Sequence, residues 1–412
     1  MSVSAPADRS VPRAARKAGD TSRDGRGRLK ATPPILQYGF RPFFFLAALY
    51  AGLAIPLWLA VYLGGVELPG PFEGLHWHAH EMLFGYLGAV IAGFVLTAIP
   101  NWTGRLPLSG RPLALLVALW LAGRLTNVLS PDPYLALAVD LAFPALLALA
   151  VWREVVAGRN WKNAPVAVMI SLFGLANAAD HAANIHLVPQ ELGHQLALAV
   201  AAVLIALIGG RIVPSFTRNW LARERVSNLP ASFGLVDKAA LLVTGIGMAA
   251  WVAAVEAPLT GVLLAAAGGL LAVRLARWRG HRTISEPILF VLHLGYGWLA
   301  AALALLGLSI LVPFVPSSAA LHALTAGAVG TMTLAVMTRA SLGHTGRAIV
   351  ADRSVVAMYV LVTVGAALRV AAPFTDEAYV ATLAAGGSLW SAGFLLFAVR
   401  YAPILWARRI GA

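Results

Sequence analysis

PILFVLHLGYGWLAAALALLGLSILV, residues 287–312, runs without a single Asp, Glu, Lys or Arg. At about 1.5 Å of rise per residue, a helix of this length crosses the roughly 30 Å of hydrocarbon in a bilayer. Working outward, eleven further stretches read the same way: 43–64, 76–99, 112–129, 134–152, 164–187, 193–214, 237–255, 258–275, 318–339, 353–372 and 378–402. The composition agrees. Of 412 residues, 59% are hydrophobic and 12% charged, against about 45–50% and about 25% in soluble domains. A water-soluble enzyme, a disordered scaffold and a nucleic-acid-binding module are all excluded.

The net charge of +13 follows from where the basic residues lie. Alternate loops hold Arg105 and Arg111; Arg153, Arg159 and Lys162; Arg218, Arg223 and Arg225; Arg274, Arg277, Arg279 and Arg282; Arg347 and Arg353; and Arg408 and Arg409. The intervening loops hold no Lys or Arg. One miscounted helix would break that alternation, so the count of twelve stands on two independent patterns. Basic loops face the cytoplasm, which predicts that both termini do too. Residues 1–34, with eight Lys and Arg among Pro, Ser, Gly and Ala, read as a disordered basic cytoplasmic tail ahead of a membrane domain over 35–412. The tail lacks the apolar core of a signal peptide. The fold class is all-α membrane: a twelve-helix polytopic bundle in contact with lipid.

An internal repeat is visible. His80 precedes Arg105 by 25 residues, and His322 precedes Arg347 by the same interval. In that register Gly85 faces Gly327, Gly88 faces Gly330, Ala98 faces Ala340, and Thr103-Gly104-Arg105 faces Thr345-Gly346-Arg347. The stretch from His194 fits more weakly, with Pro214 opposite Pro100. Three four-helix pseudo-repeats account for this, each with a histidine at the outer end of its second helix. An even helix count per unit gives parallel repeats.

Seven of the ten histidines fall in the outer third of the bundle on this topology: His76, His78 and His80 on helix 2, His181 and His186 on helix 5, His194 on helix 6 and His322 on helix 10. One histidine at a helix end is ordinary headgroup chemistry. Seven on one side, three of them at repeat-equivalent positions, point to a shared metal or haem site, because ionisable groups within the membrane are costly and usually functional. There is no cysteine, so thiolate ligands and covalent CxxCH haem are excluded. His80 and His322 each sit beside a stripe of small residues, Gly85 and Gly88 on one helix and Ala326, Gly327 and Gly330 on the other. Such a stripe admits either a flat macrocycle or a neighbouring helix. With axial imidazoles available, a non-covalent b-type haem between His80 and His322 is one reading. Arg124 and Arg369, the basic residues in outer halves of helices, would then meet its propionates; a salt bridge from Arg124 to Asp140 is the competing account. The remaining imidazoles, His76, His78, His181, His186 and His194, are candidates for a second metal, with Glu81, Asp140 and Asp180 at similar depth to orient them or relay protons. No P-loop or Rossmann glycine turn is present.

Four segments carry a resemblance: FRPFF (40–44), WHAHEMLFG (77–85), AIPNWTGR (98–105), and the stretch from His322 to Arg347, HALTAGAVGTMTLAVMTRASLGHTGR. Together they resemble the NnrS family, and the likeness covers essentially all of 35–412. The resemblance implies a haem- and copper-containing bacterial inner-membrane protein that responds to nitric oxide and protects against nitrosative stress, with His78, His80 and His322 as motif histidines and Glu81 beside them. It also implies nitric oxide as a small-molecule ligand; the sequence identifies no electron donor and does not decide whether a reaction is catalysed. A looser likeness is to haem–copper oxidases, which have twelve helices and take ligands from helices 2, 6, 7 and 10. Helix 7 here has no histidine, helix 10 has one, and Leu198 rather than Tyr follows His194 by four residues. An oxygen-reducing binuclear centre of the usual kind is therefore not expected. The competing class is a proton-coupled or metal secondary transporter using the same histidines and acids. A structural partner of a respiratory complex is a third.

Overall fold

The computed structural model describes residues 31–411, so the disordered tail expected over 1–34 falls, through residue 30, outside the described residues. Among the described residues every element is helical, and twelve helices are long and apolar enough to cross a membrane. They are α1 Phe40–Gly64, α2 Gly74–Pro100, α3 Arg111–Leu129, α4 Pro133–Ala157, α5 Trp161–Asn184, α6 Leu192–Arg223, α7 Leu235–Ala253, α8 Pro258–Ala276, α9 Pro287–Leu311, α10 Ser317–His344, α11 Arg353–Phe374 and α12 Asp376–Trp406. These are the twelve spans the apolar pattern predicts. The start of α1 and the end of α12 share one face of the bundle, where Arg41 donates to the carbonyls of Leu405 (2.6 Å) and Ala407 (2.7 Å). We call this the terminal face and its opposite the distal face. The loops rich in Arg lie on the terminal face.

Neighbouring helices pack through small residues, as expected where no water drives them together. A β-carbon on Gly268 of α8 would come within 2.6 Å of the backbone nitrogen of Ala304 on α9, and one on Gly307 of α9 within 2.5 Å of the backbone nitrogen of Ala265. The same close approach joins α11 to α12 at Gly365 and Gly386.

Helices α2, α4, α6 and α10 run further toward the terminal face than the apolar pattern predicts, as does α12, which reaches Trp406 rather than 402. The second helix continues to Thr103 rather than ending near 99, and α4, α6 and α10 reach Ala157, Arg223 and His344 rather than 152, 214 and 339. The extension of α6 passes straight through Pro214. Proline has no N–H to offer the carbonyl four residues back, here Gly210. That carbonyl is met instead by the guanidinium of Arg274 on α8, 3.3 Å away.

Helices α2, α6 and α10 each contain a π-helical segment: Glu81–Leu87, Ile205–Gly209 and Ala323–Val329. Those of α2 and α10 coincide residue for residue in the register that aligns His80 with His322. Wide turns of this kind are uncommon and concentrate at functional sites. They also expose backbone carbonyls, and a donor from a neighbouring helix meets one in each case. Trp120 Nε1 donates to Gly85 O at 2.9 Å, Arg274 Nη1 to Ala206 O at 3.0 Å, and Trp390 Nε1 to Ala326 O at 3.1 Å. Substituting Trp390 by Phe keeps the ring but leaves the Ala326 carbonyl unpaired, and is expected to cost roughly 1–3 kcal/mol. Thermal unfolding in detergent reads this loss; an unchanged midpoint would show that water replaces the indole.

Candidate metal centre

At the distal end of the bundle, α2, α3, α4, α5 and α6 converge on a group of buried charged side chains. His80 occupies its middle and is fully buried. Its Nδ1 lies 2.6 Å from Asp180 Oδ2 on α5, and its Nε2 lies 3.0 Å from Asp140 Oδ2 on α4. The ring also stacks on Phe72, 4.4 Å between centroids. The π-helical segment begins at the next residue. Regular helix would set Glu81 about 100° around from His80, yet both side chains enter the same polar group. Glu81 Oε1 accepts from Asn127 Nδ2 at 3.0 Å, and Asn127 Nδ2 also lies 3.1 Å from His80 Nε2. Glu81 Oε2 accepts from Arg124 at 2.5 Å and from the Tyr50 hydroxyl.

Each aspartate gathers histidines. Asp140 Oδ2 takes His80, His181 Nε2 at 3.1 Å and Asn177 Nδ2 at 3.0 Å, while its Oδ1 pairs with the guanidinium of Arg124. Asp180 Oδ2 takes His80 and His76 Nε2 at 3.2 Å. Its other oxygen, Oδ1, lies 2.9 Å from His194 Nε2 on α6. Beyond that ion-pair contact neither atom has a hydrogen-bond partner. Two triads with the donor set of a metal site result, His76–Asp180–His194 and His80–Asp140–His181, each with donor atoms within 4.8 Å of one another. His80 ties one to the other.

The charges do not cancel among the fixed groups. Glu81, Asp140 and Asp180 bring three carboxylates, all at most 1% exposed, against the single guanidinium of Arg124. Burying charge without a partner costs several kcal/mol per ion, so the remaining two negative charges call for protons on the imidazoles or for a bound cation. The triads differ in access. The side chains of His76 and His194 are 14% and 21% exposed, whereas those of His80, Asp140 and His181 are at most 1% exposed.

The remaining candidates lie elsewhere. His322 and Arg369 lie within electrostatic reach of His78, which is within the same reach of His194. His78 stacks on Trp58 at 4.3 Å and keeps a buried, unpartnered Nδ1; Arg369 keeps a buried, unpartnered Nη1. His322 Nδ1 lies 2.7 Å from Ser318 O. His186 belongs to neither triad. It is exposed, adopts a positive φ of 61° in the α5–α6 loop, and contacts Gln190. Of the two accounts of Arg124, the structure shows the ion pair with Asp140. The small-residue stripes are filled by protein: a β-carbon on Gly85 would strike Arg124 Nη1 at 2.8 Å, one on Gly327 would strike Trp298 at 2.6 Å, and one on Gly330 would strike Trp390 at 2.7 Å.

Tyr50, Asn127 and Asn177 join the site without having been singled out in the sequence. Two of them carried a usable signal. Asn127 follows Arg124 by three residues and Asn177 precedes Asp180 by three, the spacing that puts polar groups on one helix face.

A twelve-helix membrane protein with histidine–carboxylate triads buried at one end is the class these features define. The chain matches the family model described as NnrS protein over residues 34–409 and belongs to that family. No curated protein matches it. Family membership supports a role in the response to nitric oxide, and the triads are compatible with metal binding.

Proposed function

We propose that the chain is a haem- and copper-binding protein of the bacterial inner membrane that limits nitric oxide damage at a site near the periplasmic surface. The charge rule supports a cytoplasmic terminal face and hence a periplasmic distal face. A gas that dissolves in the bilayer reaches that depth.

The observation that carries the metal assignment is the pair of Asp180 Oδ1 and His194 Nε2, 2.9 Å apart beside His76 and with no hydrogen-bond partner outside that pair. Donor atoms at that spacing suit an ion bound at about 2.0–2.2 Å, and imidazole with carboxylate suits copper among other divalent ions. His76, His194 and Asp180 would hold it. The carboxylate of Asp180 also receives His80, which fixes the orientation of the ligating acid, and Asp140, His181 and Arg124 fix His80 in turn. Outer partners of this kind are worth about 10–100-fold in metal affinity.

The haem fit falls on His322 and His78 rather than on His80. Both nitrogens of His80 are engaged by carboxylates. His322 has its Nδ1 at a backbone carbonyl, the arrangement that leaves Nε2 to a metal, and His78 and Arg369 supply an unpartnered ring nitrogen and an unpartnered cation for a propionate. When bound, ferrous haem supplies the affinity for nitric oxide. The chain's residues would hold the ring, exclude water through Trp58, which stacks on His78, and fix His80 between Asp140 and Asp180.

Purified protein is expected to contain copper and to show a Soret band that shifts on reduction and on nitric oxide addition. His322→Ala and His78→Ala should remove the band and spare the copper; His194→Ala should do the reverse. A colourless wild-type protein that exchanges a loosely held metal would favour the transporter instead.

A further inference from the structure

On the terminal face, α2 ends at Gly104, whose φ of +70° is a left-handed conformation that costs a side-chain-bearing residue roughly 1–2 kcal/mol. Its N–H closes on Pro100 O at 2.9 Å. The turn carries the chain across α4 and frames a cavity of about 540 Å³, the size of a small-molecule pocket. The inner wall is apolar, from Leu96, Ile99 and Pro100 of α2 and Ala150 of α4. The rim is charged. Arg105 Nε lies 2.5 Å from Glu154 Oε2, and Arg153 Nε lies 3.9 Å from Glu154 Oε1. Two guanidiniums share one carboxylate, so the rim keeps a net positive charge. Arg153 is 72% exposed and Arg105 42% exposed, leaving both open to a further anion. Trp102 lies two residues before Gly104, and Asn160, which precedes Trp161, donates to the Trp102 carbonyl. Paired tryptophans mark the depth of the lipid headgroups.

We infer that this cavity seats one anionic glycerophospholipid, with an acyl chain along the α2–α4 wall and its phosphodiester at Arg105 and Arg153. A half-open cavity whose inner wall is apolar suits an acyl chain better than a free, fully hydrated anion. The positive rim selects an anionic over a zwitterionic head, as basic pockets between membrane helices do. The site is far from the histidine cluster and does not depend on what that cluster binds.

Full-length protein, purified in neutral detergent, is offered equimolar phosphatidylglycerol and phosphatidylcholine in mixed micelles, and the lipid retained per chain is read by native mass spectrometry. Wild type is expected to retain one phosphatidylglycerol, preferred by roughly tenfold, with the preference falling as salt rises. The double variant Arg105→Gln, Arg153→Gln should lose the preference. Ala150→Trp, which fills the chamber and keeps both arginines, should lose the lipid. Both variants are compared at matched circular dichroism and monodispersity. The salt series on wild type needs no variant. Equal retention of the two lipids, a preference that ignores salt or survives the double substitution, or displacement by excess inorganic phosphate would each overturn the inference.

Discussion

Replacing Arg124 by Leu is expected to destabilise the protein by about 3–5 kcal/mol, the cost of leaving buried charge unpaired. Arg124 is 4% exposed and makes contact with both Glu81 and Asp140. Without it, three buried carboxylates face no fixed cation at all. The loss would appear as a lower thermal unfolding midpoint in detergent. Arg124→Lys keeps the charge but lacks the planar fork that reaches Glu81 with one nitrogen and Asp140 with the other, so it should recover only part of the loss. A combined Arg124→Leu, Glu81→Gln, Asp140→Asn variant should recover more than Arg124→Leu alone, because the liability is the orphaned carboxylates and not the missing guanidinium. If all three variants unfold together with wild type, the cluster is open to water and the charge reading fails.

The membrane architecture could be read before any coordinates because it depends on quantities that sequence carries directly: runs of apolar residues and the side of the loops on which arginine falls. The ends of α2, α4, α6 and α10 could not. Their last turns are polar, and Pro214 reads as a stop until Arg274, from another helix, is seen to meet the carbonyl that proline leaves unpaired. The site divides in a similar way. Depth along the membrane was legible, and it placed His76, His80, His181, His194, Asp140 and Asp180 at one level. Which of them face one another was not. A helical wheel assumes about 100° per residue, and the π-helical segments that start after His80 and after His322 reset the face of the helix at those points. The wheel paired His80 with His322. The folded chain turns His80 toward Asp140 and Asp180, while the ring of His322 sits against the Ser318 carbonyl.

Asp180→Asn is the substitution expected to separate metal binding from folding. The amide has nearly the shape of the carboxylate, so packing against Gly193, whose absent β-carbon admits the Asp180 backbone, is unchanged. What changes is charge and lone pairs: one anionic oxygen is lost to His194, and the other to His80 and His76. As a ligand, Asp180 should matter more than a residue standing behind a ligand, so metal affinity should fall by more than the roughly 10–100-fold typical of an outer partner. Asp140→Asn provides that comparison, since Asp140 faces His80, His181 and Arg124 but not His194 or His76. Competition with a chelator gives both affinities on one scale. The haem spectrum should survive Asp180→Asn, because His78 and His322 do not contact Asp180. Stability of the metal-free protein should fall by about 1–3 kcal/mol, since His80, His76 and His194 lose the anionic oxygens they face, while Arg124 keeps both of its partners. Equal affinity losses in the two variants would demote Asp180 to an outer role and move the metal to His80, Asp140 and His181.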